Sequence, residues 1–146
     1  MNLTVGICGF QPGFETILRQ EGIPFRVISE KNKNSLDDFA VLILGDKFSA
    51  STAEIIDFVK SGGMILTETE TFAELFSLKT KRKKVSYLIA DENSIFSQVG
   101  LVDIFSEIEI IKDKVAEILD GNLFIYRKKI GKGTAIILPF KVNSLL

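Results

Sequence analysis

Histidine is the most telling absence. The 146-residue chain has none, which excludes Ser-His-Asp and Cys-His catalysis, and histidine metal sites, within it. An imidazole would have to come from a partner chain or a further domain. Tryptophan is absent too, and the only cysteine is Cys8, so no internal disulfide forms and nothing calls for an oxidising compartment. Neither charge sign dominates: 18 Lys and Arg face 19 Asp and Glu, for a net charge of −1. Bulk charge therefore favours neither nucleic acid nor an acidic membrane. No apolar run approaches the ~18–20 residues needed to cross a bilayer. The N-terminal Met-Asn-Leu-Thr-Val-Gly lacks the basic and long apolar regions of a signal peptide. A cytoplasmic protein without nucleic-acid or membrane partners is the expectation.

What is present is ordinary globular material, with 46% hydrophobic residues and twelve Phe to build a core. A chain of this length fits one domain over residues 1–146, able to bury roughly 68–70% of its unfolded surface. It ends on Leu145-Leu146 with no polar tail, which leaves open both a natural end and the N-terminal part of a longer protein.

The first half alternates strand and helix. Residues 3–8 form an apolar, β-branched run bounded by Gly9 and Pro12, as expected of a buried strand. Pro12 suits a first helical turn, Phe14, Ile17 and Leu18 supply its apolar stripe, and Gly22 ends it. Phe25 to Ile28 reads as a second strand, and Ala-Val-Leu-Ile-Leu at 40–44 as a central one. Ser51-Thr52-Ala53-Glu54 matches a capping box, where the serine hydroxyl takes an orphan amide and the glutamate reaches back. Ile55, Ile56, Phe58 and Val59 form the buried face of that helix, and Gly62-Gly63 stops it. A fourth strand follows at 64–67, then a short helix marked by Phe72, Leu75 and Phe76, then a fifth strand at 85–90.

Beyond Asp91 the rhythm changes. Residues 94–101 suggest one or two helical turns, and 107–111 a strand. Asp120-Gly121-Asn122 and Gly131-Lys132-Gly133 are hairpin signals, and 134–138 is again a continuous apolar run, stopped by Pro139. Strands alternating with helices imply right-handed crossovers. The fold class expected is α/β: a flavodoxin-like, three-layer, doubly wound, mainly parallel sheet with a C-terminal antiparallel β extension.

In such a sheet, ligands bind beyond the carboxyl ends of the strands, where strand order reverses. The loops there are Gly9-Phe10-Gln11 and Gly45-Asp46, with Glu68, Thr69 and Glu70 after the adjacent fourth strand. These eight residues are the candidate contacts for a small polar ligand. The first loop opens a helix whose amides suit an anion, although it matches neither G-x-G-x-x-G nor a P-loop, and a tight turn needing glycine and proline for backbone reasons is the simpler reading. Asp46, Glu68 and Glu70 are the residues that would serve a Mg²⁺-dependent hydrolase; the simpler reading is solvated acids near helix N-termini. An aspartate after a third strand also resembles phosphoacceptor receiver domains, but those need an acidic pair where this chain has Cys8-Gly9-Phe10. Cys8 itself reads as a small buried apolar side chain with no histidine to activate it. The basic run Lys79, Lys81, Arg82, Lys83, Lys84 lacks interleaved aromatics and reads as a solvated connecting loop.

Residues 38–67, with Asp-Phe-Ala-Val-Leu-Ile-Leu-Gly, a capped helix and Phe-Val-Lys-Ser-Gly-Gly-Met-Ile-Leu-Thr, resemble the class I glutamine amidotransferase-like superfamily. Residues 129–140 are similar to the G-x-G hairpin and closing strand of its non-enzymatic members. Those members accompany carbohydrate-active enzymes, including polysaccharide deacetylases and β-galactosidases. The resemblance would cover most of the chain. Catalytic members carry a G-x-C-x-G elbow after the Gly-Gly strand and a later His-x-Glu pair. This chain has Thr67-Glu68-Thr69-Glu70 at that turn and no histidine. The resemblance thus implies a non-catalytic accessory or ligand-binding domain, with no catalytic residue, no metal and no cofactor. Its partner would be a downstream catalytic domain or, through the β-rich part after Asp91, a second copy of itself.

Overall fold

The computed structural model describes residues 4–9, 11–28, 36–45, 50–89, 101–111 and 126–138. Eight strands and three α-helices follow in the order β1 (Val5–Cys8), α1 (Pro12–Gln20), β2 (Phe25–Ile28), β3 (Val41–Leu44), α2 (Thr52–Lys60), β4 (Met64–Glu68), α3 (Thr69–Phe76), β5 (Thr80–Ile89), β6 (Leu101–Ile111), β7 (Tyr126–Ile130) and β8 (Gly133–Leu138). A single 3-10 turn, Leu36–Asp38, precedes β3.

Six strands form one sheet in the order β2-β1-β3-β4-β8-β7. Every pairing from β2 to β8 is parallel, and β7 closes the edge antiparallel to β8. The architecture is therefore α/β with a mostly parallel sheet, compatible with a flavodoxin-like fold. β5 and β6 stand apart as an antiparallel pair.

Side-chain alternation sorts the core into two layers. On one face Cys8, Leu42, Leu44, Ile65, Ala135 and Ile137 pack with Ile55, Phe58 and Val59 of α2 and with Phe72 and Leu75 of α3. On the other, Ile7, Ile43 and Leu138 pack with Phe14 and Leu18 of α1. Strands buried on both faces must be apolar throughout, which is why these runs do not alternate with polar residues. Fully burying each Leu, Ile or Phe contributes roughly 1.5–3 kcal/mol, and Ile7, Leu42, Leu44, Ile55, Ile65 and Phe72 are all under 2% exposed.

The serine half of the capping box forms: the backbone N–H of Glu54 donates to Ser51 Oγ at 3.2 Å. α2 ends at Lys60, and Gly62, at φ 122°, turns the chain into β4. The later glycine pair meets the earlier one. Gly131, at φ 58°, turns β7 into β8, and the amides of Lys132 and Thr134 donate to the carbonyls of Lys60 and Gly63. A Cβ at Gly133 would overlap the carbonyl oxygens of Val59 and Gly63, so only glycine lets the hairpin seat against the end of α2.

Three expectations change. The strand after α3 is not the fifth member of the parallel sheet; that place beside β4 belongs to β8. A parallel position requires a buried apolar strand, and Gly-Thr-Ala-Ile-Ile-Leu meets that requirement better than a strand that opens with Thr-Lys-Arg-Lys-Lys. The basic run is also not a connecting loop from Lys81 onward, since 81–84 lie within β5. Register sets Arg82 opposite Glu109 and Lys84 opposite Glu107 along the two strands. Finally, Leu101 opens β6 instead of ending a helical turn. Residues 94–100, Ala90 and Asp120-Gly121-Asn122 lie outside the described residues.

Candidate functional site

The parallel strands end level. Cys8 pairs with Leu44, Ile43 with Leu66, and Glu68 with Leu138, so the residues that follow β1 and β3 and the last residues of β4 and β8 share one edge. The Gly45 amide donates to the Cys8 carbonyl at 2.7 Å, carrying the ladder one step past the strands. Gly9, at φ 86°, turns the chain away from β1 and towards α1, a conformation that favours glycine. Between β1 and β3 the strand order reverses, since the chain leaves β1 for β2 on one side and returns to β3 on the other. At about 4.8 Å per strand, Gly9, Gly45 and Glu68 span roughly 10 Å of this edge.

Glu68 is both the last residue of β4 and the N-cap of α3. No loop separates strand from helix. The turn expected from Thr67-Glu68-Thr69-Glu70 is therefore present, but it is relaxed: Glu68 sits at φ −80°, ψ 155°. Nucleophile elbows are sharp and strained. Among the described residues the sole non-glycine positive φ is Ser77, at the far end of α3. The hydroxyls here are directed inward: Thr67 Oγ1 donates to the Glu68 carbonyl at 3.2 Å, and Thr69 Oγ1 to the Leu138 carbonyl at 3.3 Å. The first bond is local to the end of β4, and the second ties the turn to β8.

Burial gives the strongest signal. Among the described residues outside β5, β6 and Tyr126, the buried polar side chains are Gln11, Thr67, Glu68, Thr69 and Thr71, and all five lie at this C-terminal edge. Gln11 is the N-cap of α1 but makes no capping bond. It is 3% exposed, and its Oε1 has no hydrogen-bond partner among the described residues. An unsatisfied buried acceptor costs about 1–3 kcal/mol. Glu68 is also buried, on the α1 side of the sheet with its register partner Leu138.

Cys8 closes β1 within the apolar cluster. Burial pushes its thiol from 9.0 up to about 11, so at neutral pH it is a protonated, inert group. Of the eight residues expected to line a ligand site, Gly9, Gln11, Gly45, Glu68, Thr69 and Glu70 come to one edge, while Phe10 and Asp46 lie outside the described residues. Glu70 is exposed, unlike buried Glu68, and among the described residues no three acidic or Cys side chains gather as a metal site would need. Sequence reasoning missed two parts of this edge, Thr71 and the end of β8. The signal for the second was its continuous apolar run, the mark of a strand inside a parallel sheet.

No known protein-family model matches the chain, and no curated protein is similar to it. Among the described residues no helix is long and apolar enough to cross a membrane.

Proposed function

We propose that this chain is a non-catalytic, amidotransferase-like accessory or ligand-binding domain acting beside a catalytic domain of a carbohydrate-active protein. The observation that carries the binding part is the gathering of buried polar side chains at the carboxyl edge of the parallel strands. Polar burial is costly unless satisfied, and within this group the Gln11 Oε1 has no partner among the described residues. The non-catalytic part draws support from chemistry: the turn after β4 offers Thr67, Glu68, Thr69 and Glu70 in relaxed backbone, the sequence has no histidine, and the Cys8 thiol stays protonated. The flavodoxin-like order, with β8 filling the fifth parallel position, is the scaffold on which this reading places the ligand.

Calorimetric titration with sugars, nucleotides and amino acids, run beside glutaminase and hydrolase assays, tests it. Saturable binding without turnover is the expected result. Clear turnover by this chain alone would overturn it.

A further inference from the structure

α1 begins without its usual polar partners. Its first residue, Pro12, has no N–H to offer, and Gln11 does not cap it. The Gln11 side chain is 3% exposed, yet its Oε1 finds no partner among the described residues. Such atoms are rare in folded proteins and call for an explanation outside routine packing. Because Gln11 is itself the N-cap, covalent geometry keeps this oxygen within one side-chain length of the first turn of α1. That turn follows β1 directly, at the reversal of strand order, where open parallel sheets take ligands.

We infer that Gln11 is a recognition residue whose amide oxygen accepts a hydrogen bond from a neutral hydroxyl compound, a sugar or polyol. The inference rests on the binding-module reading and gives its ligand class. An anion brings mainly acceptors to an acceptor. A cation meets the positive end of the α1 dipole. A hydroxyl donates to Gln11 and carries no charge for that dipole to repel. The threonine hydroxyls at this edge do not supply that donor, because Thr67 and Thr69 already donate to backbone carbonyls. Nor does that oxygen have a bond to a described residue to break when it turns to a ligand.

The test is a set of titrations of the ¹⁵N-labelled chain with glucose, galactose, xylose and myo-inositol, with inorganic phosphate and methylammonium in parallel. At least one neutral compound is expected to shift the Gln11 side-chain NH₂ pair and the Gly9 and Gly45 amides saturably. Gln11→Met should weaken that binding about tenfold, the loss of one hydrogen bond. Gln11→Asn, which keeps the amide but withdraws it by one methylene, should weaken it too, and covers the case in which methionine disturbs the packing. Shifts produced by phosphate or methylammonium but by no sugar would overturn the inference, as would sugar binding of equal strength in both variants. Silence towards all six compounds also overturns it. The binding-module reading falls only if the wider calorimetric screen is silent as well.

Discussion

The two ends of the main sheet are built from different materials. At the amino end the contacts are backbone to backbone: Ala40 N–H to Thr4 O, Met64 N–H to Ala40 O, Thr134 N–H to Gly63 O and Lys132 N–H to Lys60 O, all between 3.0 and 3.2 Å. No side chain intervenes at Gly133, because none fits. At the carboxyl end the same strands finish among buried side chains that carry oxygen, namely Gln11, Thr67, Glu68, Thr69 and Thr71. One end is closed by geometry that tolerates no substitution. The other holds buried polar groups, one of which, the Gln11 Oε1, has no partner among the described residues. In open α/β sheets this division recurs because ligands bind at the carboxyl ends, which leaves the opposite end free to serve stability.

The sharpest way to break the comparison is at the locked end. Gly133→Ala places a methyl against two carbonyl oxygens fixed by α2 and the Gly62-Gly63 turn, and neither is the flexible tip of a side chain. A loss of about 3 kcal/mol or more is expected, beyond the usual range for overpacking, measured as a fall in the urea midpoint at constant slope. A loss below ~1 kcal/mol would mean the clasp gives way easily and the contrast between the ends is overstated.

Cys8 stands where the closed core meets the open edge. Its folded thiol titrates near 11 against 9.0 when unperturbed, raised by burial. A neutral acid whose pKa is raised by folding stabilises the native state fully below the unperturbed value. The benefit fades as pH rises towards the folded one, because the unfolded thiol ionises first. Stability should therefore hold to about pH 9 and then decline by about 2–3 kcal/mol towards pH 11 relative to Cys8→Ala. Paired denaturation curves across that window check it. A constant gap between wild type and variant would show that solvent reaches the thiol, and that the core is open at this edge.

Much of the locked end was legible in the sequence. Gly62-Gly63 and Gly131-Lys132-Gly133 announce turns there, and at the opposite edge Ser51 with Glu54 announces a helix start, because each is a local demand on backbone geometry. That the two glycine pairs touch was not legible, since it depends on β8 inserting beside β4 from some seventy residues away in the chain. The same non-local pairing hid β5. Lys81 to Lys84 look like solvated loop until β6 is paired with them. At the open end, the sequence points to the right loops through the topological rule. It could not show that Gln11 is buried and unpartnered, because a glutamine after a glycine turn is ordinarily a surface residue.

The helix starts, both at the carboxyl end, offer a smaller contrast, between capped α2 and uncapped α1. α2 is capped in the usual way by Ser51, so Ser51→Ala should cost about 1 kcal/mol, read from the thermal midpoint. No change would mean that the amide is satisfied by water and that the capping box is incidental.

The smallest effect should have the opposite sign. Methionine at position 11 keeps nearly the length of glutamine and removes the unsatisfied oxygen, so Gln11→Met should raise unliganded stability by about 0.5–1 kcal/mol. A gain of that kind marks a residue held for a purpose other than folding, the usual trade between stability and function. Thermal melts of both proteins, at matched pH and without additives, decide it. Were the variant less stable by ~1 kcal/mol or more, the amide would be a structural member of the edge. The carboxyl end would then differ from the amino end in its chemistry but not in its task.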